Sequence, residues 1–224
     1  EAGTLDNVRI SGSGDSAEVR YGGENFDDFE DGDTSEWSGP ISASSNSPLS
    51  GTYSGYMNPS GNDESSIDIP QTTSNITWLF RPSSQSGSGG DRVDLKLYNG
   101  GSRQVNIEFE GDGDLRIDFD TKRSWSPGQT YEIKVAPDFG NDTIYVYIDG
   151  VQEATISTTA NNFDEFRLYV ENGFSGGTAV RVDDFKIGEP TNDVGSYTGP
   201  SFDVDGSTEA KISLTALQNA EANW

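Results

Sequence analysis

Two acidic stretches lie far apart in the chain. FDDFEDGD (26–33) places Glu30, Asp31 and Asp33 around Gly32, and TAVRVDDFKI (178–187) carries Asp183 and Asp184 side by side. Carboxylates beside a glycine, whose backbone can turn its carbonyls inward, form the donor set of a hard cation. Ca2+ takes about six to eight oxygens from such groups. The alternative is that these five acids are solvated surface charges, as most acids of a strongly acidic chain must be.

Other chemistry is narrower. Cysteine and histidine are absent, which removes thiol chemistry, the commonest general base and the commonest transition-metal ligand. A Ser/His/Asp triad is therefore impossible, and SGSGG (86–90) lacks the Lys-Ser/Thr and the helix of a phosphate loop. Glycoside hydrolysis needs two carboxyls roughly 5–9 Å apart. The nearest candidates are Glu108 and Glu110 in NIEFEGD and Asp118 and Asp120 in RIDFD. Acids alternating on an outward strand face are expected of an acidic protein in any case, so the chain reads as a non-enzyme. Five aromatic residues fall off the core phase of their segments: Tyr98, Trp125, Tyr145, Tyr147 and Tyr169. They are candidates to bind sugars, whose rings stack on aromatic faces. The competing explanation is that tyrosine favours strands and covers sheet surface.

The elements that would position these groups are strands. Ile76, Trp78 and Phe80 alternate, as do Val93, Leu95 and Leu97, then Val105, Ile107 and Phe109, then Leu115, Ile117 and Phe119. Tyr131, Ile133 and Val135 follow, then Ile144, Val146 and Ile148. Strict period-two alternation argues half-buried strands. The turns between them are rich in Gly, Asn and Asp, with Asp149–Gly150 the strongest hairpin signal. Strands about ten residues apart with no helical period predict an antiparallel sandwich or barrel. In the last strand Val180 and Val182 share one phase, while Phe185 and Ile187 take the other. That slip at Asp183–Asp184 predicts a β-bulge, and pairing of 26–33 with 178–187 would make them the opening and closing strands of one domain.

Three segments are expected. Residues 1–24 form a hairpin from Val8–Ile10 and Ala17–Tyr21 or the end of a preceding module. Residues 25–188 form the main domain, and 189–224 a linker followed by the start of another β-sandwich. The start at Glu1 and the stop at Trp224 suggest a processed chain or a fragment. No signal peptide and no run of about 18 apolar residues is present, so membrane insertion is not expected. The sequons Asn75-Ile-Thr and Asn141-Asp-Thr mildly favour an extracellular place.

FDDFEDGDTSEW, SGTYSGYM, SPGQTYEIKVAPDFGNDTIYVYIDGVQEATIST and FRLYVENGFSGGTAVRVDDFKIG together resemble a LamG-like jelly roll of the concanavalin A-like lectin/glucanase superfamily over about residues 26–188. FEDG near one end with DDF near the other also looks like jelly-roll carbohydrate-binding modules. The resemblance implies an all-β antiparallel sandwich and a structural Ca2+ shared by the two ends, with Glu30 and Asp183 as leading ligands. Glucanases of this superfamily carry a strand like E-x-D-x-x-E, which neither acidic pair here matches.

The 38 acids against 14 bases leave a net charge of −24, which excludes nucleic acid as a partner by repulsion. Eleven per cent aromatic residues and patterned strands argue against a disordered acidic chain. Low lysine, abundant aspartate and polar loops resemble proteins of haloarchaea. The combined expectation is a surface module of a haloarchaeal cell or of its virus, in a tail fibre or spike. It would bind cell-surface glycans or glycoproteins, or other domains of the same assembly. A spacer or decoration domain without a ligand and a glucanase-like hydrolase are the alternatives. Self-repulsion at this charge should loosen the fold in dilute buffer, so the melting temperature should rise between about 0.1 M and about 3 M NaCl as screening shortens to a few ångströms. A melt indifferent to salt would remove the salt-adapted reading.

Overall fold

The computed structural model describes residues 8–11, 18–21, 24–58, 61–83, 91–171 and 179–188. The linker and further β-sandwich start expected over 189–224 lie outside the described residues. Among the described residues, alternating sequence becomes seventeen strands in chain order. The first six are β1 Val8–Ser11, β2 Glu18–Tyr21, β3 Glu24–Asp27, β4 Trp37–Ser38, β5 Ser42–Ser44 and β6 Ser54–Met57. Next come β7 Asp63–Thr72, β8 Ile76–Pro82, β9 Arg92–Asn99, β10 Ser102–Glu110, β11 Asp114–Ile117 and β12 Asp120–Ser124. The last are β13 Tyr131–Asp138, β14 Thr143–Ile148, β15 Val151–Ser157, β16 Phe163–Val170 and β17 Val180–Ile187. A single 3-10 turn, Phe139–Asn141, interrupts the described strands, and no described helix is long and apolar enough to cross a membrane.

β1 and β2 pair antiparallel as the expected hairpin. The other strands form two antiparallel sheets that pack as a sandwich. One runs β12-β11-β10-β9-β16-β7-β4, and the second runs β15-β14-β13-β8-β17-β6-β5. Each sheet turns its apolar phase inward, so Ile76, Trp78, Phe80, Val93, Leu95, Leu97, Val105, Ile107 and Phe109 all join one core. Full burial of each such side chain contributes roughly 1.5–3 kcal/mol.

β17 holds the two ends of the domain together. Val180–Val182 pair with β6 along one edge, and Phe185–Ile187 pair with β3 further along that same edge. On the opposite edge the register to β8 shifts between Asp183 and Lys186, and Asp184 takes a left-handed φ of 50°. The bulge expected from the sequence is therefore present. It lets Val180, Val182 and Phe185 all reach the core. Phe29 also sits at positive φ, 57°, a conformation that costs a bulky residue about 1–2 kcal/mol. Its ring is buried against Trp37 in return.

Two expectations need correction here. Phe119 is not a core residue: it is 63 % exposed. The strand ends at Ile117, and Asp118 and Phe119, at φ 48° and 71°, form a two-residue turn into β12, the geometry that closes tight hairpins. Arg103 instead lies over the Phe119 ring, 5.0 Å from its centroid. Trp125 is not an outward aromatic either. It is 3 % exposed, edge-on to Phe109, with its Nε1 donating to the Glu110 carbonyl at 2.8 Å.

Trp78 fills the centre of the core, whereas Tyr147 stands on an outer face beside Lys134. Trp78→Ala should cost about 3–5 kcal/mol in a urea melt and Tyr147→Ala far less. Equal losses would contradict the strand phase.

Candidate ligand-binding face

Alternation that sends Val105, Ile107 and Phe109 into the core sends Asn106, Glu108 and Glu110 to the outer face of the seven-stranded sheet. The same rule places Asp94, Lys96 and Tyr98 of β9 and Glu165, Arg167 and Tyr169 of β16 on that face. Strand register then aligns residues remote in sequence. One row across the sheet reads Arg116, Glu108, Asp94, Tyr169, Glu64. The next reads Asn106, Lys96, Arg167, Ser66.

These groups are tightly interlocked. Lys96 Nζ lies 2.9 Å from Asp94 Oδ2, and Arg92 Nε lies 3.1 Å from Asp94 Oδ1. Arg116 Nη1 lies 3.2 Å from Glu110 Oε1, and Arg167 bridges Glu165 at 2.8 Å and Glu64 at 3.3 Å. The Asn106 amide donates to Glu108 Oε1. Lys96 and Arg167 each cover one face of a tyrosine, 4.5 Å from the Tyr169 centroid and 4.3 Å from that of Tyr98.

The face differs from a solvated strand surface. Asp94 and Glu108 are each 1 % exposed and Glu110 is 2 %, so the expectation that Glu108 and Glu110 are ordinary outward acids is corrected. Long neighbouring side chains on adjacent strands surround them. Burial raises the Glu108 carboxyl above its usual range, and the charge of Asp94 adds to it. Burial also raises Glu110, against the pull of Arg116, and Asp118, against a hydrogen bond from the Asn106 N–H. Asn106 Oδ1, Glu110 Oε2 and Arg116 Nε are buried without a hydrogen-bond partner. Each such orphan costs about 1–3 kcal/mol.

Of the five aromatic candidates, Tyr98 and Tyr169 share this face. Tyr145 and Tyr147 stand on β14, on the outer face of the other sheet, opposite Ala136 and Lys134, and Trp125 lies in the core. The five therefore do not form one site. Asp94, Lys96, Arg116 and Arg167 went unremarked in the sequence, although the alternation that marks the core in β9, β11 and β16 also puts each of them on the other face.

At the domain ends, both leading calcium candidates grip one turn. Glu30 accepts the Thr52 and Tyr53 N–H groups at 2.8–2.9 Å, which hold its carboxyl below the usual range. Asp183 accepts the Ser50 N–H and the Ser54 hydroxyl, each at 2.9 Å, and the Asp184 N–H at 2.8 Å. Gly51 between them has φ 51°, and a Cβ there would lie 2.3 Å from Glu30 Oε1. Asp31 accepts the Asp33 N–H, Asp33 accepts the N–H groups of Thr34 and Ser35, and Asp184 lies 3.3 Å from Lys186. Among the described residues no group of three or more acids could hold a metal ion. The carboxylates named as Ca2+ ligands accept hydrogen bonds from protein donors.

No family model matches the sequence, and no curated protein matches it. Among solved structures, a sialidase superposes with a TM-score of 0.55 at 16 % identity, over 79 % of this chain and 19 % of its own. The chain thus spans about a fifth of that protein. The carbohydrate recognition domain of Emp47p gives a TM-score of 0.47 at 12 % identity, covering 72 % of this chain and 93 % of its own. Lectin II from Ulex europaeus gives 0.45 at 12 %, covering 68 % and 92 %. At these identities the likeness is one of fold, and the sialidase match carries it.

Burial pushes the Asp183 carboxyl up to about 6, outweighing its three donors. A raised value in the fold means that the native state holds the proton more tightly than the unfolded chain. Stability from this group is therefore greatest below about pH 4 and declines as pH rises through about 6. The loss is about 3 kcal/mol for a shift of roughly two units. Urea midpoints at pH 4 to 7 should show wild type losing stability relative to Asp183→Asn over that window. Parallel curves would mean that Asp183 titrates normally.

Proposed function

We propose that this domain is a non-catalytic carbohydrate-recognition module, binding through the outer face of the seven-stranded sheet. The observation that carries the proposal is the ladder of interlocked polar side chains on that face, Arg116, Glu108, Asp94 and Lys96, with Tyr98 and Tyr169 beside it. Sugar hydroxyls both donate and accept, so one hydroxyl can serve a carboxylate and a guanidinium at once. Tyr98 and Tyr169, half-buried with a cation over one ring face each, flank this ladder. The fold shared with part of a sialidase accords with this reading. The strongly acidic composition supports placing the module in a larger extracellular or virion surface protein, a tail fibre or spike, from a high-salt environment. Its partners there would be surface glycans or neighbouring subunits.

A glycan array in molar salt tests the proposal. Wild type should retain a defined glycan. Glu110→Gln or Tyr169→Ala should weaken binding at least about tenfold, the loss of a hydrogen bond to a charged group being about 1.5–3 kcal/mol. Tyr147→Ala, on the opposite face, should bind as wild type does. Binding should survive a calcium chelator at fixed ionic strength, because Glu30 and Asp183 are satisfied by protein donors. Absence of binding to any glycan would leave a spacer or decoration domain.

One observation favours a second reading, a glycoside hydrolase. Glu108 and Asp94 are direct cross-strand partners, and a buried carboxyl with a raised pKa beside a second carboxylate is the arrangement of acid catalysis on glycosides. Release of reducing ends from the retained glycan, lost in Glu108→Gln, would favour this reading over recognition alone.

A further inference from the structure

The opposite outer face of the sandwich carries a different arrangement. Arg81 of β8 and Arg181 of β17 are direct cross-strand partners, and Tyr56 of β6 is the next residue in the row. Arg181 is 7 % exposed and lies 4.8 Å from the Tyr56 ring centroid. Among the described residues, no Asp or Glu pairs with either guanidinium, whereas Arg92, Lys96, Arg116, Lys122, Arg123, Arg167 and Lys186 all have acid partners. Among the described residues, Arg81 and Arg181 meet only neutral oxygens. Arg81 Nη2 donates to the Ser47 carbonyl and, at 3.2 Å, to its hydroxyl, while Arg181 Nη2 donates to the Asn46 carbonyl. The turn supplying these acceptors is exposed at its surface, and Ser47 takes a left-handed φ of 60°. Arg181 Nε is buried with no acceptor at all.

Two adjacent guanidiniums repel, and burying a charge without a counter-charge is costly. In a chain with 38 acids, an unpaired arginine couple is a position that the protein's own carboxylates leave open. Burial first, and then the charge of Arg81, lowers the proton affinity of the Arg181 guanidinium. An oxyanion has planar or tetrahedral oxygens that match the donor fork of arginine and can bridge two of them.

We propose that Arg81 and Arg181, bordered by Tyr56 and the Asn46–Ser47 turn, form a binding site for one oxyanion of carboxylate or sulfate size, either free or carried on an acidic glycan. The site lies on the other side of the sandwich from the Asp94–Glu108 face and does not depend on that face binding sugar.

The test is the melting temperature of the intact chain as sodium sulfate replaces sodium chloride at constant ionic strength. Wild type should show a rise that saturates, and Arg81→Gln should lose the saturable part while keeping any gradual general effect of sulfate. A sulfated oligosaccharide titrated in the same way separates the sources. Saturation at tenfold or more lower concentration than sulfate assigns a glycan-borne anion, and saturation at equal sulfate content assigns the free ion. Should Arg81→Gln fail to fold, the Arg181 Nε–H resonance of wild type gives a second readout, expected to shift on sulfate addition and to saturate over the same range. Equal, non-saturating rises in both proteins, or an Arg181 resonance that does not move, would overturn the site.

Discussion

An aromatic junction between the sheets supports everything else in this domain. Trp78 of β8 stacks on Phe185 of β17 at 5.6 Å, and Phe166 of β16 packs edge-on against both, at 5.3 Å and 4.9 Å. Trp37 meets Phe166 at 5.9 Å and Phe29 at 5.8 Å, so the opening segment is tied to the same cluster. Phe185 reaches the junction because β17 slips by one residue at Asp183–Asp184. The bulge is therefore a requirement of packing. It also leaves Asp183 on the outer face, buried beneath the Ser50–Ser54 turn.

That turn explains how the domain closes. Glu30 from the beginning and Asp183 from the end hold it through backbone N–H groups and one hydroxyl. Hydrogen bonds to a carboxylate are stronger than neutral ones, and here they join segments more than 150 positions apart. The same segment, continued back to Asn46 and Ser47, also accepts from Arg81 and Arg181, so the 46–54 stretch is pinned by two acids and two bases.

The two outer faces use charge in opposite ways. On the seven-stranded sheet, bases alternate with acids along β9 and β16 and pair with them as ions, so the face is nearly neutral in its local pairing despite the acidity of the chain. On the other sheet, Arg81 and Arg181 stand together with no acid paired to either among the described residues. Neither arrangement follows from net charge, which averages over both. A face of matched charges with orphaned hydrogen-bond groups suits a neutral, hydroxyl-rich ligand, whereas a couple of unmatched cations suits an anion.

The sequence by itself determined the long alternating strands and most of the residues that point inward, because alternation is a property of neighbouring residues along one chain; short polar strands such as Ser42–Ser44 and Asp120–Ser124 carry no such signal. It also showed the bulge, from the mismatch of Val182 and Phe185, and the Asp149–Gly150 hairpin. It misled at Phe119, where two left-handed residues end the alternation early, and at Trp125, which lies between strands where phase has no meaning. The carboxylate positions were legible, but their partners were not. Which polar residues stand together, and how deeply, was decided only by the tertiary structure. A row such as Arg116, Glu108, Asp94, Tyr169 and Glu64 is set by the register of five strands, and register is fixed by how both sheets bury their apolar faces against each other.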